Sequence, residues 1–415
     1  MRIALRLARR GYGTTSPNPM VGAVLVKDGK IIGQGWHHRA GEPHAEVEAI
    51  REAQRRGNNT RGATLYVTLE PCSTFGRTPP CTDIIKAAGV KRVIVGATDP
   101  NPKHRGRAFK ILRRAGIKVM ALGKWEGRAR HSVRADPGLA KQRRAEDCVP
   151  YQKLAEECAR LNEAFNHWIV HHTPFVTVKA AMTLDGKIAT ASGESKWITG
   201  EKGRAYGMKL RQGADALLVG INTILADDPS LTPRSQKSEV RSQNERKRLR
   251  RIILDSHART PLIARVVRDE HAALTTIVVG QAAPKNRVAA LAKRVKVLIA
   301  PTVGRVVHTA PGLRAEDSPP HQQIDLRWLL KRLGGENVTH LLVEGGGEVN
   351  ASFLLGGLAH RVAFFYAPKI LGGRDARRAV AGEGASRLNE ILQLRETEWR
   401  RLGPDLLLTA RVDSR

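Results

Sequence analysis

The sequence predicts a globular α/β protein of two domains, and three observations carry that expectation. At 415 residues the chain exceeds the size at which a single hydrophobic core keeps growing. From Val21 to Ala121 short β-type runs alternate with amphipathic helical stretches, and a second alternation of the same kind begins at Phe175. Between them, from Gly123 to Val149, periodicity gives way to an arginine-rich stretch, followed by a helical pattern from Tyr151 to Val170. This divides the chain into a first domain over 1–122, a basic connection with its helix over 123–172, and a second domain over 173–415.

Each element has a local reason. Val21–Val26 and Lys30–Gly35 flank Asp28-Gly29, a pair suited to a tight hairpin, and Thr64–Leu69, Arg92–Ala97 and Ile117–Ala121 read as further strands. Helices are expected over Ala45–Arg56, Thr82–Ala88 and Gly106–Ala115. In the second half, strands are expected over Phe175–Ala181, Ala214–Gly220, Arg251–Asp255, Thr275–Val279, Val338–Val343 and Val362–Ala367. Ser235–Arg248 and Thr302–Gln323 are polar interruptions that read as surface excursions.

Composition excludes several classes. Hydrophobic residues at 41% and charged residues at 26% place the chain far from the disordered class. No apolar run approaches the roughly 20 residues that cross a bilayer, and arginines interrupt the first ten residues, so neither a membrane span nor a signal segment is expected. Four cysteines are too few for a disulfide-built fold of this length, which points to a reducing cytoplasm. The net charge of +31 raises the question of nucleic acid, but aromatic residues make up only 4%, too few to interleave stacking platforms with the basic residues. A solvated arginine-rich surface and no nucleic-acid partner are expected.

The first chemical signal is His44-Ala45-Glu46, where Gly41-Glu42-Pro43 hands over to a helix. Pro71-Cys72 follows the strand ending at Leu69, and Pro79-Pro80-Cys81 opens another helix. One imidazole and two thiolates meet the ligand count of a catalytic zinc, which keeps a fourth position for water. Zinc lowers the pKa of its water to about 7. Glu46, two residues from His44 and not needed as a ligand, can collect that water's proton and pass it to a departing amine. Two buried structural cysteines would explain the sulfurs but not the His-x-Glu beside them. Cys148 and Cys158 have no histidine pair at ligand spacing and are read as plain thiols.

These residues resemble the cytidine-deaminase-like superfamily. Eight residues between Cys72 and Cys81, with the string Glu70-Pro71-Cys72-Ser73 to Gly76-Arg77-Thr78-Pro79-Pro80-Cys81, look like the deaminase half of the bifunctional deaminase–reductases of riboflavin biosynthesis. Ser16-Pro17-Asn18-Pro19 and Asp99-Pro100-Asn101-Pro102 match the same family, with Thr74 standing where a histidine is common. The resemblance implies a three-layer deaminase fold, His44, Cys72 and Cys81 as zinc ligands, Glu46 as proton shuttle and Asn18 seating the pyrimidine.

In the second half no GxGxxG opens a strand-to-helix turn, so a Rossmann domain is not expected. Val343-Glu344-Gly345-Gly346-Gly347 leads instead from an apolar run into a helix, a place where backbone N–H groups can meet a phosphate. The strings Lys179 to Ala189, Glu194 to Gly200 and Gly220-Ile221-Asn222-Thr223, with Asp227-Asp228-Pro229 behind them, look like the reductase half of the same family. That resemblance implies a dihydrofolate-reductase-like domain using NADPH and assembly of copies through it. It assigns Ser195, Arg211, Arg234 and Glu344 to a phosphoribosylated pyrimidine substrate, and Ala181, Trp197, Thr223, Asp227, Leu231, Ser256, Gly346 and Gly347 to the dinucleotide. Two other readings stay open: an RNA- or DNA-acting zinc deaminase with an accessory domain, and a regulator that keeps the fold without the chemistry.

Overall fold

A computed structural model describes residues 1–76, 79–124, 149–232, 249–303 and 323–413. They form two compact units, Met1–His171 and His172–Arg415.

The first unit is built on five strands: β1 (Gly22–Lys27), β2 (Lys30–Trp36), β3 (Thr64–Leu69), β4 (Arg92–Ala97) and β5 (Lys118–Ala121). Their order is β2-β1-β3-β4-β5, antiparallel as far as β3 and parallel from there. The β1–β2 turn pairs Lys27 with Lys30 across Asp28 and Gly29 at φ 50° and 75°, the left-handed pair that matches the twist of a two-residue hairpin. Alternation decides which helix lies on which face. Ala23, Leu25, Leu65, Val67, Val93 and Val95 bury against α2 (Ala45–Arg55), α3 (Cys81–Ala87) and α4 (Arg107–Arg114). The intervening Val24, Tyr66 and Ile94 face α1 (Arg2–Ala8) and α5 (Val149–Leu161). The result is three layers with a helix layer on each side of the sheet.

Helical pattern over 151–170 is realised as α5 followed by α6 (Glu163–His171). The break falls at Asn162, whose amide is spent on Met20, accepting its N–H at 2.7 Å and donating to its carbonyl at 2.9 Å. Leu154 and Ala155 of α5 pack on the sheet, and Cys158, 1% exposed, lies over Gly96, where a Cβ would stand 2.7 Å from Thr68 O and collide with the sulfur. Burial pushes that thiol up to about 12. Cys148, the 235–248 excursion and most of the 302–323 excursion lie outside the described residues.

In the second unit the strands are β6 (Phe175–Thr183), β7 (Lys187–Ala189), β8 (Ala216–Gly220), β9 (Arg250–Leu254), β10 (Thr275–Val279), β11 (Lys296–Ile299), β12 (Thr302–Val303), β13 (Gln323–Ile324), β14 (His340–Val343), β15 (Arg361–Ala367), β16 (Arg377–Arg378), β17 (Leu394–Leu402) and β18 (Asp405–Val412). Nine of them make one sheet in the order β11-β10-β9-β8-β14-β6-β15-β18-β17, parallel except for the last two strands. Helices cover both faces, as a parallel sheet requires. Ile252, Val278, Leu341 and Val343 pack under α11 (Leu326–Gly335) and α12 (Gly347–Leu354), while Leu217, Val219, Ile253, Ile277 and Val279 pack under α8 (Ile221–Asp227), α9 (Arg265–Arg268) and α10 (Lys285–Ala292). Beyond β15, α7 (Glu201–Gly213) lays Tyr206 and Leu210 on Phe365 and Leu407. Among the described residues no helix is long and apolar enough to cross a membrane.

One close approach sets the geometry of the first unit. At Gly35 of β2 a Cβ would stand 2.5 Å from both Ala45 O and Ala49 N, so α2 can press onto the strand only because two glycines, Gly33 and Gly35, carry no side chain there. Gly35→Ala is expected to lower the stability of this unit by about 1–3 kcal/mol through overpacking. Denaturant unfolding followed by hydrogen exchange at the α2 amides would register it, and unchanged protection would show that the helix can shift without loss.

Candidate active sites

The residues of the first constellation arrive from separate elements. His44 is the cap residue before α2, Cys81 is the first residue of α3, and Cys72 lies three residues beyond β3. His44 Nδ1 stands 3.5 Å from Cys72 Sγ and 3.3 Å from Cys81 Sγ, and the three donor atoms lie within 4.8 Å of one another. Backbone N–H of Cys81 donates to Cys72 Sγ at 3.2 Å, so the start of α3 points its dipole at a sulfur. Donation from the Cys81 thiol, with His44 and that N–H beside it, brings the Cys72 thiol well below its usual range and favours its thiolate form. Two sulfurs and an imidazole, grouped this tightly and half-buried or buried, fit a zinc ion.

Glu46, in the first turn of α2, is 2% exposed. Burial pushes its carboxyl up to about 7, against the pull of His44, and it lies in hydrogen-bonding contact with Cys81. Such a group exchanges a proton near neutral pH.

Asn18 lies behind the imidazole. Its Nδ2 is 3.1 Å from Nε2 of His37, whose Nδ1 is 3.2 Å from Pro43 O, and the His37 ring meets that of His44 edge-on at 5.1 Å. A carbonyl can only accept, so His37 carries its proton on Nδ1 and takes the Asn18 amide N–H on Nε2. Burial brings His37 down to about 4, which keeps it neutral. Glu70, just before Pro71-Cys72, accepts the N–H groups of Asp99, Gly106 and Ala108 at 3.1, 3.0 and 3.2 Å and so holds the loop that carries the Asp-Pro-Asn-Pro string.

The second group collects at the carboxyl ends of parallel strands, where open α/β sheets place their ligands. Glu344 follows β14, and Arg211 of α7 donates to both its oxygens at 2.9 and 2.8 Å through Nε and Nη2. Lys179 of β6 adds its ammonium at 3.7 Å. Burial drives the Glu344 carboxyl up, but the charges of Lys179 and Arg211 outweigh it and hold it at about 2. Arg211 and Glu344 thus meet as an ion pair, not as two independent contacts.

Around them, Gly346 caps α12 and the helix starts at Gly347. Asn350 is fully buried, and its Oδ1 has no hydrogen-bond partner among the described residues. An orphaned acceptor beside a glycine-rich helix start, with open space at Gly346, fits a dinucleotide that brings a hydroxyl donor and a phosphate. Asp227 pairs with Lys196 at 3.0 Å, and Trp197, 61% exposed, has the Arg204 guanidinium 4.9 Å above its ring. Ala181, Thr223, Ser195 and Ser256 are half-buried on four separate segments. Leu231 turns its side chain into the core beside Ile224 and Ile253. Arg234 lies outside the described residues.

Sequence reasoning missed His37, Glu70 and Lys179 as parts of these sites. The signal for Lys179 was its place in the otherwise apolar or neutral run from Phe175 to Met182, where a lysine needs a buried partner.

Comparison with known proteins matches each unit to a family. Residues 1–97 match the family described as the cytidine and deoxycytidylate deaminase zinc-binding region, and residues 174–408 match the RibD C-terminal domain. The chain is 40% identical to the riboflavin biosynthesis protein RibD of Aquifex aeolicus over 98% of its own length and 96% of that protein, and 36% identical to that of Escherichia coli over 98% and 97%. Among solved structures it is similar to Acinetobacter baumannii RibD, at 31% identity and a TM-score of 0.76 over 99% of this chain and 97% of that one. It is also similar to a diaminohydroxyphosphoribosylaminopyrimidine deaminase/5-amino-6-(5-phosphoribosylamino)uracil reductase from Thermotoga maritima, at 31% identity and 0.73 over 100% and 97%. Such likeness along both units makes the chain a member of the RibD family, the bifunctional deaminase–reductases of riboflavin biosynthesis.

Proposed function

We propose that the first unit deaminates 2,5-diamino-6-(5-phosphoribosylamino)pyrimidin-4-one and that the second reduces the ribosyl group of the product to a ribityl chain with NADPH. The observation that carries the reading is the convergence of His44, Cys72 and Cys81 beside a buried carboxyl poised near neutrality. His44, Cys72 and Cys81 would hold a zinc ion, which when bound would acidify a water toward neutral pH. Glu46 takes the proton from the attacking water and returns it to the amine nitrogen. The water oxygen becomes the new carbonyl, its second proton ends on the adjacent ring nitrogen, the carbon–nitrogen bond breaks and ammonia leaves. Asn18, fixed by His37, seats the pyrimidine, and the Glu70-held loop bounds the same neighbourhood.

In the second unit NADPH supplies the hydride, and the protein's task is orientation. Ala181, Trp197, Thr223, Asp227, the backbone at Leu231, Ser256, Gly346 and Gly347 line the dinucleotide. Ser195, Arg211, Arg234 and Glu344 face the substrate, with Lys179 keeping Glu344 ionised so that it accepts hydrogen bonds. The basic surface draws phosphorylated small molecules and needs no nucleic acid to explain it. Copies assemble through the second unit, a reading supported by the edge strand β17, exposed along nearly its whole length with Trp399 on it. A reducing cytoplasm suits a site built on two thiols.

Three outcomes test this reading. Glu46→Gln should lower ammonia release by about 10²–10⁴-fold while sparing NADPH oxidation with pre-deaminated substrate; loss of both activities would contradict two independent sites. Cys72→Ser should weaken zinc binding by roughly 100-fold or more, beyond the roughly 10–100-fold cost of losing an outer partner. Metal analysis and competition with a chelator would measure it, and full retention of zinc would remove Cys72 from the ligand set. Arg211→Ala strands Glu344 beside Lys179 and should abolish reduction with a loss of about 3–5 kcal/mol in stability. The double variant Arg211→Ala/Glu344→Gln should recover much of that stability but not the activity, as thermal unfolding and NADPH oxidation would report.

A further inference from the structure

Strand β9 carries one residue that its setting does not call for. Most of the face toward α8 and α9 is hydrocarbon, Ile253 in the same strand, Leu217 in β8 and Ile277 in β10, yet position 251, paired across to Thr275, is a fully buried arginine. All five of its N–H groups are used. Two form a bidentate pair with Asp269 at 2.6 and 2.8 Å, one reaches Thr275 Oγ1 at 2.9 Å and one Val266 O at 3.1 Å. The fifth leaves this cluster and donates to Ser230 O at 2.9 Å. Asp269, held low by this contact despite the opposing effect of burial, balances the charge.

An ion pair between a fully buried arginine and a half-buried carboxylate adds little stability over well-packed hydrocarbon, which turns attention to the conformation it selects. The selected segment is the loop after α8. Asp228 and Leu231 sit there at φ 39° and 56°, a left-handed conformation that non-glycine residues rarely hold unless the surroundings impose it. Asp228 Oδ1 accepts the backbone N–H of Arg265 at 2.8 Å, and Leu231 is sunk in the core at 3% exposure. The Ser230 carbonyl between them is held by Arg251.

We propose that Arg251 is a positioning residue for the reductase: through Ser230 it fixes the Asp227–Leu231 loop in the shape that receives the dinucleotide. The inference rests on the assignment of Asp227 and Leu231 to NADPH. Asp269 supplies the counter-charge that lets a guanidinium sit there, and Thr275 and Val266 set its plane, so that its remaining N–H is aimed at one carbonyl.

The test uses the full chain, with kcat of reduction and the melting temperature reporting that the second unit is folded and ammonia release serving as the control for the first. Arg251→Lys keeps the charge near Asp269 but cannot serve Asp269 and Ser230 together. Arg251→Met/Asp269→Leu replaces the pair by hydrocarbon and guards against a variant that fails only through a stranded charge. Both are expected to raise KM for NADPH by about 10-fold or more, with KM for the pyrimidine substrate, kcat of reduction and ammonia release each within about 2-fold of the parent. If both variants keep the parent KM for NADPH, or if all constants worsen together in step with a lower melting temperature, the pair is structural only and the proposal is wrong. Asp227→Ala is measured alongside: a raised KM for NADPH upholds the loop's assignment, so an unaffected Arg251 series then refutes the positioning role alone, whereas an unchanged value for Asp227→Ala refutes the assignment and the proposal with it.

Discussion

Three donor atoms have to remain within 4.8 Å of one another while a carboxylic acid beside them is kept out of water, and the architecture of the first unit answers to that requirement. Two of the donors, His44 and Cys81, stand at helix starts, and the third, Cys72, follows the end of a central strand, where its sulfur accepts the backbone N–H that opens α3. Helix α2 carries both His44 and Glu46, so its seating on β2 fixes ligand and proton carrier at once, and two strand glycines allow that seating. Burial of Glu46 in turn gives the carboxyl its affinity for a proton. Close packing and acid–base chemistry are therefore one arrangement here.

The second unit handles charge in the opposite way. Its central anion, Glu344, is kept ionised by two cations, and its most buried cation, Arg251, is matched by a carboxylate and three neutral acceptors. No titrating group near neutrality is called for, which suits chemistry in which a cofactor brings the reactive hydrogen and the protein holds the partners in register. The two units thus divide proton handling from orientation.

Much of this was legible in the sequence because strong local signals coincide. Thr64–Leu69, Arg92–Ala97 and Thr275–Val279 occur with the bounds read from the sequence, since each is an apolar or β-branched run closed by turn residues. The ligand set was legible because a histidine and two cysteines with flanking prolines are rare in that order. Less legible was whatever depends on contacts distant in sequence. His37 gains meaning only when Asn18 and Pro43 stand on either side of it, and Lys179 only when Glu344 arrives from a strand more than 160 residues later. β17 escaped notice because its charged, outward-facing residues lack the alternation that burial of one face imposes. The α5–α6 break could not be seen either, because Asn162 ends the helix by bonding to Met20.

The thiol packed over Gly96 has a use of its own. Cys158 is almost sealed from solvent, holds its proton far above neutral pH and is separated from the ligand sulfurs by the thickness of a sheet, facing the opposite helix layer. A thiol reagent can reach it only in the interval when α5 lifts from β4, so its labelling rate at fixed pH counts those openings. The wild-type chain thereby contains its own clock for local unfolding of the helix layer opposite the metal site, with no engineered probe required.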